Sequence, residues 1–177
     1  MTPRWPDDLR PATLRQPDQV SCGATTVVAA RVLLRPPWRP EDAVAEIRAE
    51  HRKLTSTRSA RDRLQVPWPR RFGTPPWAVA DALGVLAGER VATVVTRPRP
   101  ETGYDVLVAQ LATRPAAVYL GNAWLPRHVV LAVEALDGGA SVRVFDPSAG
   151  ALVVVEADRW RDQRVGIAGW DVPWAVI

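Results

Sequence analysis

The sequence is short of the residues that usually advertise a chemistry. It has one cysteine, two histidines, one methionine and a single lysine, Lys53, among 23 basic residues in 177. One cysteine excludes an internal disulfide framework and leaves too few thiols for a cysteine-rich zinc site, which suits a reducing compartment. No apolar run reaches membrane-spanning length, and the start, Met1 to Asp8, lacks the apolar core of a signal peptide. We therefore expect a protein that does not span a membrane and a cytoplasmic location, with secretion by a dedicated system as the alternative. Repeats and low-complexity tracts are absent too, so a single domain over 1–177 with one sizeable core is expected.

What is present in excess is arginine, proline and tryptophan. The net charge of +4 and a pI near 10.2 raise the possibility of an anionic partner. The near-absence of lysine fits the codon usage of a GC-rich genome better, and a nucleic-acid role rests on nothing else. The dense basic cluster, Arg58 to Arg71 with Trp68 inside it, reads as a solvated face or mobile loop; a specific anion or nucleic-acid site, or contact with an acidic substrate or a protein, are the alternatives.

Residues 1–15, rich in proline and charge, are expected to form an extended lead-in. The stretch 16–30 then passes from polar loop to apolar run, with a helix from about Ser21 to Leu34 that stops before Pro36-Pro37. It is apolar almost all round, so it should be central and buried. A second helix follows over 40–54, placing His51 on an exposed surface. Residues 55–73 lose periodicity and read as a loop insertion. Thr74-Pro75-Pro76 opens a third helix, with Trp77, Ala80, Leu83 and Leu86 at helical spacing and a stop near Gly88. Beyond it come strands at 90–96, 116–120, 128–136, 142–146, 152–155 and 172–177, with a short helix at 104–113. Asp137-Gly138-Gly139 marks a hairpin. Helices first and antiparallel sheet second define an α+β fold.

Chemistry concentrates at three places. Cys22 falls in the first turn of the central helix, with Ser21 as its N-cap, where free backbone N–H groups and the helix dipole favour a thiolate. His128 opens an apolar strand. Asp146 closes the next one before Pro147 breaks it, and hairpin register makes the two near neighbours. A cysteine on a helix terminus, a histidine on a strand and a carboxylate to orient the imidazole form a nucleophilic triad. An oxyanion would need the backbone N–H of Cys22 and a side-chain amide, for which Gln16 and Gln19 are available. A metal site from Cys22, His128 and Asp146 fits these three unlike groups less well, and no cofactor is implied.

Gln16-x5-Cys22-Gly23-Ala24, His128-Val129-Val130-Leu131 and Val144-Phe145-Asp146-Pro147-Ser148-x-Gly150 together resemble the bacteriocin-processing, double-glycine leader peptidases and their stand-alone relatives, which are papain-like cysteine peptidases. Ser21 stands where that family commonly carries an acidic residue. The resemblance implies a papain-like fold and a thiol protease acting on a peptide or protein, with Cys22 as nucleophile, His128 as base, Asp146 as orienting acid and Gln16 in the oxyanion hole. Trp124, upstream of His128, and Gln19 are weaker candidates for substrate contact; for Trp124 ordinary packing is the alternative. The same triad also suits a glutamine deamidase, transglutaminase or acyltransferase acting as an effector or toxin, and a silent binding module shares the fold.

Overall fold

The computed structural model describes residues 4–177; of the expected lead-in, residues 1–3 lie outside the described part. The remainder of it is not simply extended. Pro11–Leu14 form a 3₁₀ turn, Leu14 is buried, and Trp5 stacks on Phe145 with ring centroids 4.8 Å apart.

Helix α1 spans Cys22–Leu34. Its sequence is poor helix material, since Thr25, Thr26, Val27, Val28 and Val32 lose side-chain freedom in a helix. That penalty is at most about 0.7 kcal/mol per residue, whereas burying a valine or leucine stabilises by roughly 1.5–3 kcal/mol, so packing decides. Eleven of its residues are buried. Its two hydroxyls find carbonyls: Thr25 Oγ1 donates to Ser21 O at 2.9 Å, and Thr26 Oγ1 to Val129 O at 3.3 Å.

Helix α2, Ala43–Leu54, is capped by Asp42, whose carboxylate accepts from Ala45 N at 3.0 Å. Helix α3, Pro76–Ala87, ends on Gly88 in the left-handed region. Its buried face runs through Ala78, Val79, Ala82 and Leu83, so Trp77, expected inward, faces out at 41% exposure. His51 departs the other way: expected at the surface, it is buried between α2 and the 70–73 segment.

Six strands follow: β1 Val94–Val95, β2 Ala116–Gly121, β3 Pro126–Leu136, β4 Ser141–Asp146, β5 Ala151–Glu156 and β6 Val172–Val176. They form one antiparallel sheet in the order β1-β6-β2-β3-β4-β5. The first strand is far shorter than the 90–96 expected. Alternation along the strands divides the core in two. Ala117, Tyr119, Val129, Leu131 and Phe145 pack with α1 to α3. Val118, Leu120, Val130, Ala132 and Val144 pack with α4, Pro100–Leu111, and α5, Ala157–Arg161. The second of these helices had no counterpart in the sequence reading. The chain is α+β, with an antiparallel sheet covered by helices on both faces.

Gly23 is required by crowding. A Cβ there would lie 2.8 Å from both Cβ and Oγ1 of Thr74. Glycine to alanine within a helix ordinarily gains up to about 1 kcal/mol, but overpacking of this kind costs about 1–3 kcal/mol. Gly23→Ala should therefore lower unfolding free energy in urea titration, and adding Thr74→Gly should restore part of the loss; an unchanged or raised midpoint for Gly23→Ala would contradict the packing.

Candidate active site

Cys22 is the first residue of α1 and is buried. Ser21 occupies the N-cap position, yet its side chain caps nothing in the helix. Its hydroxyl turns back to Asp18 O at 3.3 Å, while the Asp18 carboxylate accepts from Val20 N at 3.1 Å. The expected Ser21 cap is therefore replaced by a loop that holds itself, and no side-chain cap covers the N–H groups of the first turn, where a developing negative charge is best received. The Thr26 bond to Val129 fixes the helix against β3 one turn further on, which directs Cys22 to the His128 end of that strand.

His128 sits in β3 opposite Leu120, and Asp146 closes β4 opposite Ala151. The pairing of Leu131 with Phe145 brings these two strand ends together, and His128 Nε2 lies 2.8 Å from Asp146 Oδ1. Both side chains are about 95% buried, with exposures of 5% and 6%. Cys22 lies close enough to the ring to bear on its charge. His128 and Asp146 thus meet directly, with Cys22 near them.

The carboxylate is held from behind. Ser148 donates its N–H to Asp146 Oδ1 at 2.9 Å and its hydroxyl to the same carboxylate at 2.8 and 3.0 Å. Gln16 N donates to Pro147 O at 2.9 Å and Arg15 Nε to Ser148 O at 3.0 Å, tying the loop before α1 to the loop after β4. Gln16 is half-buried beside this junction. Its side-chain nitrogen donates one hydrogen to Asp18 O at 2.8 Å, and its Oε1 is buried without a partner. Gln19 is exposed. Trp124 is 82% exposed, on a turn organised by Asn122, whose Oδ1 accepts from the Trp124 and Leu125 N–H groups at 2.9 Å each.

Charge follows from these contacts. Burial alone would push the His128 pKa down; its bond to Asp146 and the nearness of Cys22 outweigh that and raise it to about 9. Burial likewise works to raise Asp146, but the bonds from His128 and Ser148 hold it below the usual carboxylate range. Burial, with Cys22 nearby, pushes the Tyr119 phenol well above its ordinary value; its hydroxyl donates to Thr74 O at 2.8 Å. His51, by contrast, is lowered by burial, partly offset by its bond to the Gly73 backbone. Ser148, Tyr119 and Thr74 carry no chemistry of their own in the sequence. Only Ser148 left a signal, as a hydroxyl two residues after an aspartate in Asp-Pro-Ser, the spacing of a local side-chain-to-backbone turn. Among the described residues no cluster of three or more His, Cys, Asp or Glu is arranged to hold a metal, and no helix is long and apolar enough to cross a membrane.

No protein-family model matches the chain, and no curated protein matches it. Among solved structures the chain is similar in fold to a peptidase domain. One such match is the peptidase domain of Streptococcus ComA, a bi-functional ABC transporter involved in a quorum sensing pathway, with a TM-score of 0.52 over 92% of this chain and 93% of that one. Identity across the match is 14%, a level at which the likeness speaks for fold alone.

Because the His128 pKa is raised, the stability it contributes is present in full below the ordinary histidine value of ~6.5 and is lost as pH rises through about 9. In an NMR titration the His128 ring should keep its protonated shifts until about pH 9, and Asp146→Asn should move the midpoint down. A wild-type midpoint at or below ~6.5 would show that the carboxylate does not hold the charge.

Proposed function

We propose that the chain is a papain-like thiol peptidase that cleaves a peptide or amide bond through an acyl-enzyme on Cys22. The observation that carries this reading is the buried imidazole of His128, bonded at Nε2 to Asp146 at 2.8 Å and close enough to Cys22 for the two to bear on each other's charge. In that arrangement the imidazole takes the thiol proton and the sulfur attacks the substrate carbonyl. The negative charge of the tetrahedral intermediate falls at the start of α1. There the Cys22 N–H and the side-chain N–H of Gln16 not used by Asp18 are the donors.

Collapse breaks the C–N bond, the imidazolium gives its proton to the departing amine, and a thioester remains on Cys22. Water then gives a proton to the imidazole and its oxygen attacks the thioester; the C–S bond breaks, freeing the acid and restoring the thiol. Asp146 keeps the ring in the tautomer that presents its other nitrogen to sulfur, and Ser148 keeps Asp146 in place.

The test begins with the thiol. At about pH 6, where a free thiol reacts slowly, iodoacetamide should label Cys22 in the wild type at least tenfold faster than in His128→Ala, as read by intact mass. On a peptide library with mass-spectrometric readout, Cys22→Ala should abolish cleavage and Gln16→Ala should lower kcat by about 10²-fold, the loss expected of one oxyanion donor. Slow labelling that is indifferent to His128 would defeat the peptidase reading.

A further inference from the structure

The 55–73 segment, read from sequence as a loop, is an ordered shelf. Gln65 pins it: its side-chain nitrogen donates to Leu54 O at 3.3 Å and Ser56 O at 2.8 Å, and its N–H donates to Thr57 O at 2.9 Å. Arg63 O accepts from Ser59 N at 2.8 Å, completing an antiparallel bridge between Arg58 and Leu64. In an extended chain successive residues face opposite ways, so pinning Gln65 turns Leu64 and Val66 outward, where they are 86% and 69% exposed. Their backbone N–H and C=O groups bond no described residue. The apolar surface continues through Trp68, which meets Trp77 edge-on at 5.4 Å and Phe72 at 6.3 Å. Phe72 is itself 61% exposed.

Two further observations say what covers this surface. Arg63, Arg70 and Arg71 border it, all exposed and none with a carboxylate within ion-pair distance among the described residues; Arg71 lies over the Phe72 ring at 4.8 Å. The surface also abuts the Cys22 loop. A Cβ on Gly73 would lie 3.6 Å from Val20 O, and Thr74 touches Gly23. An unpaired extended edge with exposed apolar side chains accepts another extended chain, while Pro67 and Pro69 confine the pairing to Leu64 and Val66. Unpaired arginines around it select carboxylates.

We propose that this shelf is an exosite for an extended, acidic polypeptide segment with apolar residues at alternate positions, bound beside Leu64 and Val66. As the substrate's own recognition segment, it rests on the peptidase reading; as a binding surface, it does not.

The probe is a short fluorescein-labelled peptide in which Glu alternates with Leu or Phe, titrated by anisotropy against Cys22→Ala so that no turnover intervenes. Three twins accompany it: Lys for Glu, Ser for Leu and Phe, and a version N-methylated at alternate backbone nitrogens. Saturable binding is expected. Each twin should bind about tenfold or more weaker, and so should Val66→Glu and the double variant Arg70→Glu/Arg71→Glu, with circular dichroism showing that both variants are folded. Equal binding of the Lys twin or the N-methylated twin, indifference to both variants, or equal affinity for a single-stranded oligonucleotide of matched charge would overturn the proposal, as would no saturable binding. If the peptide binds but the wild type never cleaves a peptide carrying it, the peptidase reading fails and the exosite stands. If the wild type cleaves such peptides with a KM unmoved by Arg70→Glu/Arg71→Glu, the exosite fails and the peptidase reading stands.

Discussion

A helix with no polar face must be covered on every side, and that demand on α1 organises the molecule. Two of its thirteen residues, Arg31 and Leu34, escape full burial, and Arg31 does so by pairing with Glu46 and Glu50 of α2 and lying over Trp38 at 5.0 Å. The sheet covers one flank; α2 and α3 cover the others. Because the helix cannot slide without exposing valine or alanine to water, the position of its first residue is set by the packing of all the rest. Cys22 inherits a fixed place from residues that do no chemistry.

The meeting of His128 and Asp146 solves a second problem, that of a charge out of water. A buried carboxylate is costly unless its oxygens are satisfied, and here three donors serve it: the imidazole, the Ser148 N–H and the Ser148 hydroxyl. The same turn accepts from Gln16 and Arg15. Segments more than 130 residues apart in sequence are thereby stitched at one point, by the Gln16 N–H and the Arg15 guanidinium.

Patterns that depend on one residue type or one strong period were legible in the sequence. The apolar run of α1, the Asp137-Gly138-Gly139 hairpin and the placing of a histidine and an aspartate at adjacent strand ends are of this kind. What escaped depends on partners remote in the chain. His51 sits in the charged run Arg48 to Lys53 and nothing local marks it as buried; only the 70–73 segment folding over α2 makes it so. Trp77 shares the helical spacing of core residues but sits on the far side, against Trp68. The 55–73 segment has no period because its order comes from side-chain-to-carbonyl bonds such as those of Gln65, which leave no pattern. Likewise β1 is cut to two residues because it pairs only with the end of β6.

The two histidines are both buried, yet they answer protons in opposite senses. His128 is held charged by its neighbours, so its share of stability drains away under alkali; His51 is held neutral, so its share drains away under acid. The first loss loosens the far end of the sheet hairpin, and the second frees the 70–73 segment from α2. Acid and base would thus act at two separate places in the fold: base at the strand ends that hold the imidazole, acid at the segment that carries Arg70, Arg71 and Phe72.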